Sequence, residues 1–101
     1  MPREKSIFTR DYETFLSTLR RLREDSGRTQ SDVAKVLKRD QSVVSKCERG
    51  ERRMDIIEVR VYCRAIGMEL EKFIRILETD IVGTARGRIS PRLERRTAPK
   101  R

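Results

Sequence analysis

The chain has no histidine, no tryptophan and only two cysteines among its 101 residues. With Cys47 and Cys63 as the sole thiols, a structural zinc site lacks the ligands to close, and we expect neither metal nor cofactor. Both cysteines fall on the inner faces of predicted helices, where reduced core thiols are the expected state. Long apolar runs are missing as well. Val43-Val44 and Ile56-Ile57 are typical of the longest, far short of the ~20 residues of a membrane span, and the N-terminus lacks the apolar stretch of a secretion signal. A Gly-rich phosphate loop and a nucleophile–base pairing are also missing, so the chain is not expected to be an enzyme. Aromatic residues make up 5%, too few for the stacking platforms that bind single-stranded RNA.

Positive charge is abundant. The formal net charge is +9, and it is unevenly spread. From Gly83 onward seven basic residues face one acid, Glu94, giving +6, while residues 1–82 hold 18 basic and 15 acidic residues, giving +3. Such a tail favours a polyanion, either nucleic acid or an anionic membrane surface, and alone does not choose between them.

The most informative stretch runs from Thr29 to Gly50. At about 100° per residue, Gln41, Ser42, Ser45, Lys46 and Arg49 of a helix over 41–49 share one arc of roughly 140°, all hydrogen-bonding or cationic. Val43, Val44 and Cys47 lie opposite, with Glu48 at their edge. One face can therefore pack on a core while the other presents the amide, hydroxyl and cationic groups that read base edges and phosphates. The polar arc has no acid on it, whereas a merely solvated face usually mixes signs. Thr29 is the expected N-cap of a preceding helix, Gln30 to Leu37, whose inner stripe is Val33, Ala34 and Leu37. Asp40 is the expected N-cap of the second.

Read together, T-Q-x-x-x-A-x-x-L followed by Q-S-x-V-S-x-x-E-x-G resembles the helix-turn-helix of phage-repressor-type regulators, the Cro/C1-like or Xre-like family, over residues 12 to 78. That resemblance implies double-stranded DNA as partner, the second helix in the major groove, and a cytoplasmic, bacterial nucleoid-associated or phage-encoded protein. It also implies an ion pair between Arg23 and Glu48, and a Gln30 that contacts phosphate and braces Gln41. Two positions depart from the family. Lys38 stands where a glycine commonly lets the backbone turn left-handed, a costly conformation for lysine, so a reshaped turn is expected. Arg28 replaces a usually apolar residue.

Around this motif the chain reads as all-α: a compact five-helix helix-turn-helix domain over 10–82, an arm over 1–9, and a basic tail over 83–101 expected to be disordered. Tyr12, Phe15, Leu16, Leu19 and Leu22 form the stripe of a first helix from about Arg10 to Ser26. Ile56, Val59, Tyr62, Cys63 and Ile66 form that of a fourth, opened by a D-x-x-E capping box at Asp55 and Glu58. Leu70, Phe73, Ile74 and Leu77 form that of a fifth. Ile57, Val61, Ile76, Ile81 and Val82 are left over, and with the family's habit of pairing here they point to a homodimer. Ile89 and Leu93, four apart, could shape a short helix of the tail on a partner.

The expected function is sequence-specific binding of double-stranded DNA and regulation of transcription. Gln41 would pair with an adenine edge, Ser42 and Lys46 would reach neighbouring bases, and Ser45 lies between base and solvent. Arg28, Gln30, Lys38, Arg39, Arg49, Arg52 and Arg53 would contact phosphate, although any one of these cations is equally well a solvated surface charge. The alternative is an antitoxin-like or other interaction module whose tail binds a partner protein.

Overall fold

Among the described residues, four of the five helices end in the same hydrogen-bonded turn. The computed structural model describes residues 7–85, and among them there is no strand. The helices are α1 (Ile7–Asp25), α2 (Gln30–Leu37), α3 (Gln41–Glu48), α4 (Ile56–Ala65) and α5 (Leu70–Ala85). After α1 to α4 the chain makes the paired backbone bonds of a Schellman turn: Arg28 to Arg23 with Gly27 to Glu24, Arg39 to Ala34 with Lys38 to Lys35, Glu51 to Lys46 with Gly50 to Cys47, and Met68 to Cys63 with Gly67 to Arg64. The residue at the bend is left-handed each time. Gly27, Gly50 and Gly67 have φ of 78°, 82° and 78°, and Lys38 has φ 61°. The turn after α2 is therefore not reshaped; Lys38 adopts the glycine conformation at φ 61°, ψ 45°.

The helix starts are equally local. Thr29 Oγ1 accepts from the Asp32 backbone N–H and the Asp32 carboxylate accepts from the Thr29 N–H, a reciprocal capping box that opens α2. Asp55 and Glu58 do the same for α4. Asp40 takes the extended backbone of an N-cap before α3, but its side chain makes no capping bond there.

α2 packs across both α3 and α4, and α1 against α5 and α3. Leu19, Val33, Val44, Tyr62, Cys63 and Phe73 are the fully shielded centre; burying a leucine or phenylalanine so completely contributes about 1.5–3 kcal/mol. Phe15 meets Phe73 edge-on at 6.1 Å between ring centroids. Thr18, outside the apolar stripe, is buried too: its hydroxyl donates to Asp80 Oδ2 at 2.6 Å, and Arg21 reaches the same oxygen at 3.1 Å, clasping α1 to α5.

The stripes are corrected at two positions. Ile56 is 56% exposed and Ile74 42% exposed. Ile56 is the first residue of α4, one turn beyond buried Val59, and Ile74 lies beside a line already filled by Leu70, Phe73 and Leu77. α1 begins at Ile7, within the stretch read as an arm. α5 continues past Gly83 to Ala85, since one helical glycine costs only about 0.5–1 kcal/mol. Residues 1–6 and 86–101, with Ile89 and Leu93, lie outside the described residues.

Candidate nucleic-acid interface

α3 is held by one face only. Val44, Cys47 and Glu48 are buried against the domain, Val43 and Ser45 are half-buried, and Gln41, Ser42 and Lys46 are exposed. Ala34, a small residue where α2 crosses α3, is itself buried.

Behind that exposed face lies a polar network. The guanidinium of Arg23 forks onto Glu48, Nε donating to Oε2 at 2.7 Å and Nη2 to Oε1 at 3.0 Å, while Nη1 donates to the Arg28 carbonyl at 3.0 Å. Tyr62 donates its hydroxyl to Glu48 Oε2 at 2.5 Å. Gln30 Nε2 donates to Glu48 Oε1 at 3.0 Å, and Gln41 Nε2 donates to Gln30 Oε1 at 2.6 Å. Burial pushes the Glu48 carboxyl up, but the hydrogen bonds from Arg23, Tyr62 and Gln30 outweigh it and hold it below its ordinary value. The hydrogen bond to Glu48 raises Arg23 against the opposing effect of burial. Burial first, and then the bond to Glu48, push the Tyr62 phenol up. Glu48 is thus an ionised, buried carboxylate with four donors on two oxygens. From sequence alone Tyr62 is legible only as a core ring and Glu48 as an edge residue of α3; its pairing with Arg23 was expected from the family resemblance, and the bonds from Tyr62 and Gln30 were not.

The cations are less free than their number suggests. Arg39 and Arg52 both reach Glu58, Arg39 Nη2 at 3.5 Å and Arg52 Nη2 at 3.0 Å from Oε2. Arg52 Nη1 also lies 3.5 Å from Cys47 Sγ. Arg49 forks onto Glu51 at 3.0 and 3.2 Å and donates to Ser45 Oγ. The Arg53 guanidinium stands 4.3 Å above the Tyr12 ring. Arg28 turns away to donate to the Ala65 carbonyl near the end of α4. Lys38 is exposed at the bend. The structure therefore gathers Gln30 and Gln41 into one network, binds Arg39, Arg49 and Arg52 to acids, and sends Arg28 elsewhere. Glu51 and Glu58 were missed as counter-ions because their partners lie two, six and nineteen residues away, spacings that carry no helical signal.

Elsewhere, burial pushes the Cys63 thiol up to about 11, and Cys47 and Cys63 are both free and buried. Among the described residues no cluster of side chains could hold a metal ion, and no helix is long and apolar enough to cross a membrane.

The family described as "Helix-turn-helix domain" matches residues 15–82. Among solved structures the chain is similar to an XRE-family like protein from Pseudomonas syringae pv. tomato str. DC3000. The two are 40% identical with a TM-score of 0.68, over 72% of this chain and 89% of that one. No curated protein matches significantly.

Proposed function

The chain belongs to the XRE/Cro-like helix-turn-helix family, and from that footing we propose that it binds specific sites in double-stranded DNA and regulates transcription. The observation that carries this reading is α3. It is anchored through Val44, Cys47 and Glu48 and leaves Gln41, Ser42 and Lys46 exposed with no acid among them. On this reading α3 enters the major groove, Gln41 reads adenine, and Ser42, Lys46 and half-buried Ser45 line the neighbouring base edges. Lys38, Arg39, Arg49, Arg52 and Arg53 flank the groove within reach of phosphate, and Gln30 stands at the N-terminus of α2 on the same side. Arg28 drops out of this set because its guanidinium serves the end of α4.

A homodimer fits the same reading. Ile57 is 63% exposed on α4, and exposed Ile56 and Ile74 with half-buried Val61, Ile76, Ile81 and Val82 extend the apolar surface. A two-fold protein reads paired half-sites. The +6 charge carried by residues 86–101 adds contact with the DNA backbone without specifying sequence; the rival for that segment is a partner protein.

Selection of bound sites from a random DNA pool tests the proposal. A two-fold-symmetric consensus is expected, and Gln41→Ala should lose about 1–3 kcal/mol of discrimination at one base pair of each half-site with non-specific binding unchanged. Enrichment of no consensus sinks the reading.

A further inference from the structure

A glutamine amide has two ends of nearly equal shape and opposite hydrogen-bonding character. Which end points where must therefore be dictated by neighbours. Here the dictating neighbour is buried. The Glu48 carboxylate can only accept, and it is fixed in place by the Arg23 fork and by Tyr62, which together put one donor on Oε1 and two on Oε2. Gln30 must therefore turn its Nε2 inward, to Glu48 Oε1 at 3.0 Å. Its oxygen then faces outward, and an oxygen demands a donor. Gln41 answers with its own Nε2 at 2.6 Å. The polarity of one carboxylate thus passes through two amides to the surface of α3.

What remains on the exposed side of Gln41 is one N–H and the carbonyl oxygen. A donor beside an acceptor matches the major-groove edge of adenine, which offers N7 as acceptor and the N6 amino group as donor. Guanine offers two acceptors, N7 and O6, and would need two donors. One of the two amide protons of Gln41 is already spent on Gln30.

We propose that Glu48, which is buried and away from the exposed face, is a positioning residue that sets the direction of the Gln41 amide and so selects adenine over guanine at the pair Gln41 reads. This rests on the DNA-binding reading above. Arg23 and Tyr62 serve by keeping the carboxylate ionised and immobile. Gln30 is the link that carries its polarity outward.

The test compares four full-length proteins, wild type, Gln41→Ala, Gln30→Leu and the double variant Arg23→Met/Glu48→Gln. Each is assayed on the selected site and on the same site with A·T replaced by G·C at the Gln41 position. The double variant removes the guanidinium that would otherwise be stranded and gives position 48 an amide that can face either way. In the wild type an adenine preference of roughly ten-fold or more is expected. In Gln30→Leu and in the double variant it should collapse to within about two-fold, with preferences at the pairs read by Ser42 and Lys46 retained. A purely structural role for Glu48 would weaken every position together, and that result overturns the inference. So does an intact adenine preference in both Gln30→Leu and the double variant. If Gln41→Ala changes no base pair, the docking itself is wrong and the inference falls with it; a preference lost in Gln41→Ala but intact in the other two variants sinks the inference alone. Thermal melts show whether the double variant folds; if it does not, Gln30→Leu decides, together with the free wild-type protein. There, the side-chain amide protons of Gln41 should exchange with solvent more slowly than in Gln30→Leu, and equal exchange in the two also overturns the inference.

Discussion

The hydroxyl of Tyr62 on α4 and the carboxylate of Glu48 on α3 are joined by a 2.5 Å hydrogen bond inside the domain. Neither residue can be solvated in its place, so the bond is one whose loss water cannot repair. Tyr62→Phe keeps the ring and deletes only the donor. A destabilisation of about 1.5–3 kcal/mol is expected, the range for a hydrogen bond to a charged group, read as a lower urea midpoint at unchanged slope.

Arg23 and Glu48 should behave as a unit. Removing either partner leaves a buried charge without its counter-ion, which costs about 3–5 kcal/mol, a large share of the stability of a small domain. Arg23→Met together with Glu48→Leu removes both charges and should cost less than either single change. Additive losses in urea melts of the three variants would show that the pair is not coupled.

The same carboxylate gives the domain an acid-sensitive limb. Glu48 is held below its ordinary 4.5 in the folded protein, so the unfolded chain binds the proton more tightly. Its contribution to stability is therefore complete above about pH 4.5 and is lost as the pH falls through the folded value. Stability should be flat between about pH 6 and 8 and fall below about pH 4.5, with a shallower fall in the Arg23→Met/Glu48→Leu variant. Melting curves taken from pH 7 down to pH 3 measure both slopes.

Lys38 occupies a bend that glycine fills in the three equivalent turns. A non-glycine residue pays about 1–2 kcal/mol for left-handed backbone, partly recovered because glycine loses more freedom on folding. Lys38→Gly should therefore raise stability by up to about 1 kcal/mol while weakening binding to all DNA sequences alike. A drop in melting temperature would mean that the lysine side chain stabilises the turn.

The helices were legible because their inner residues recur at three and four positions, and their ends because Thr29, Asp55 and the three glycines carry local signals. Leu19, Val33, Val44, Cys63 and Phe73 were all assigned to the core from that spacing. The spacing failed where a stripe overran its support, at Ile56 and Ile74, and where a polar residue was buried, at Thr18. Arg23 with Glu48 was visible only through the family likeness, since nothing in a sequence separation of twenty-five marks a contact. Tyr62 was placed correctly as a ring, but which group its hydroxyl meets depends on how α3 crosses α4. Glu58 was read as a cap and nothing more, although a carboxylate that accepts from one backbone N–H still has room for two arginines. The reshaped turn expected at Lys38 did not appear: the lysine takes the left-handed backbone, and the paired bonds from Lys38 to Lys35 and from Arg39 to Ala34 form as they do around the glycines.

Glu58 and Glu51 alter how this surface would trade ions. An arginine facing bare water that neutralises a phosphate releases about 0.9 of a cation condensed on the DNA, the usual exchange per contact. Arg39 and Arg52 already share Glu58, and Arg49 already holds Glu51. A phosphate arriving at any of the three displaces a tethered carboxylate, which stays on the protein and draws a cation back from solution, so the net release is smaller. Affinity for DNA would then vary with ionic strength less steeply than the number of arginines around α3 implies, and Lys38 and Lys46 would weigh more in that slope than their arginine neighbours.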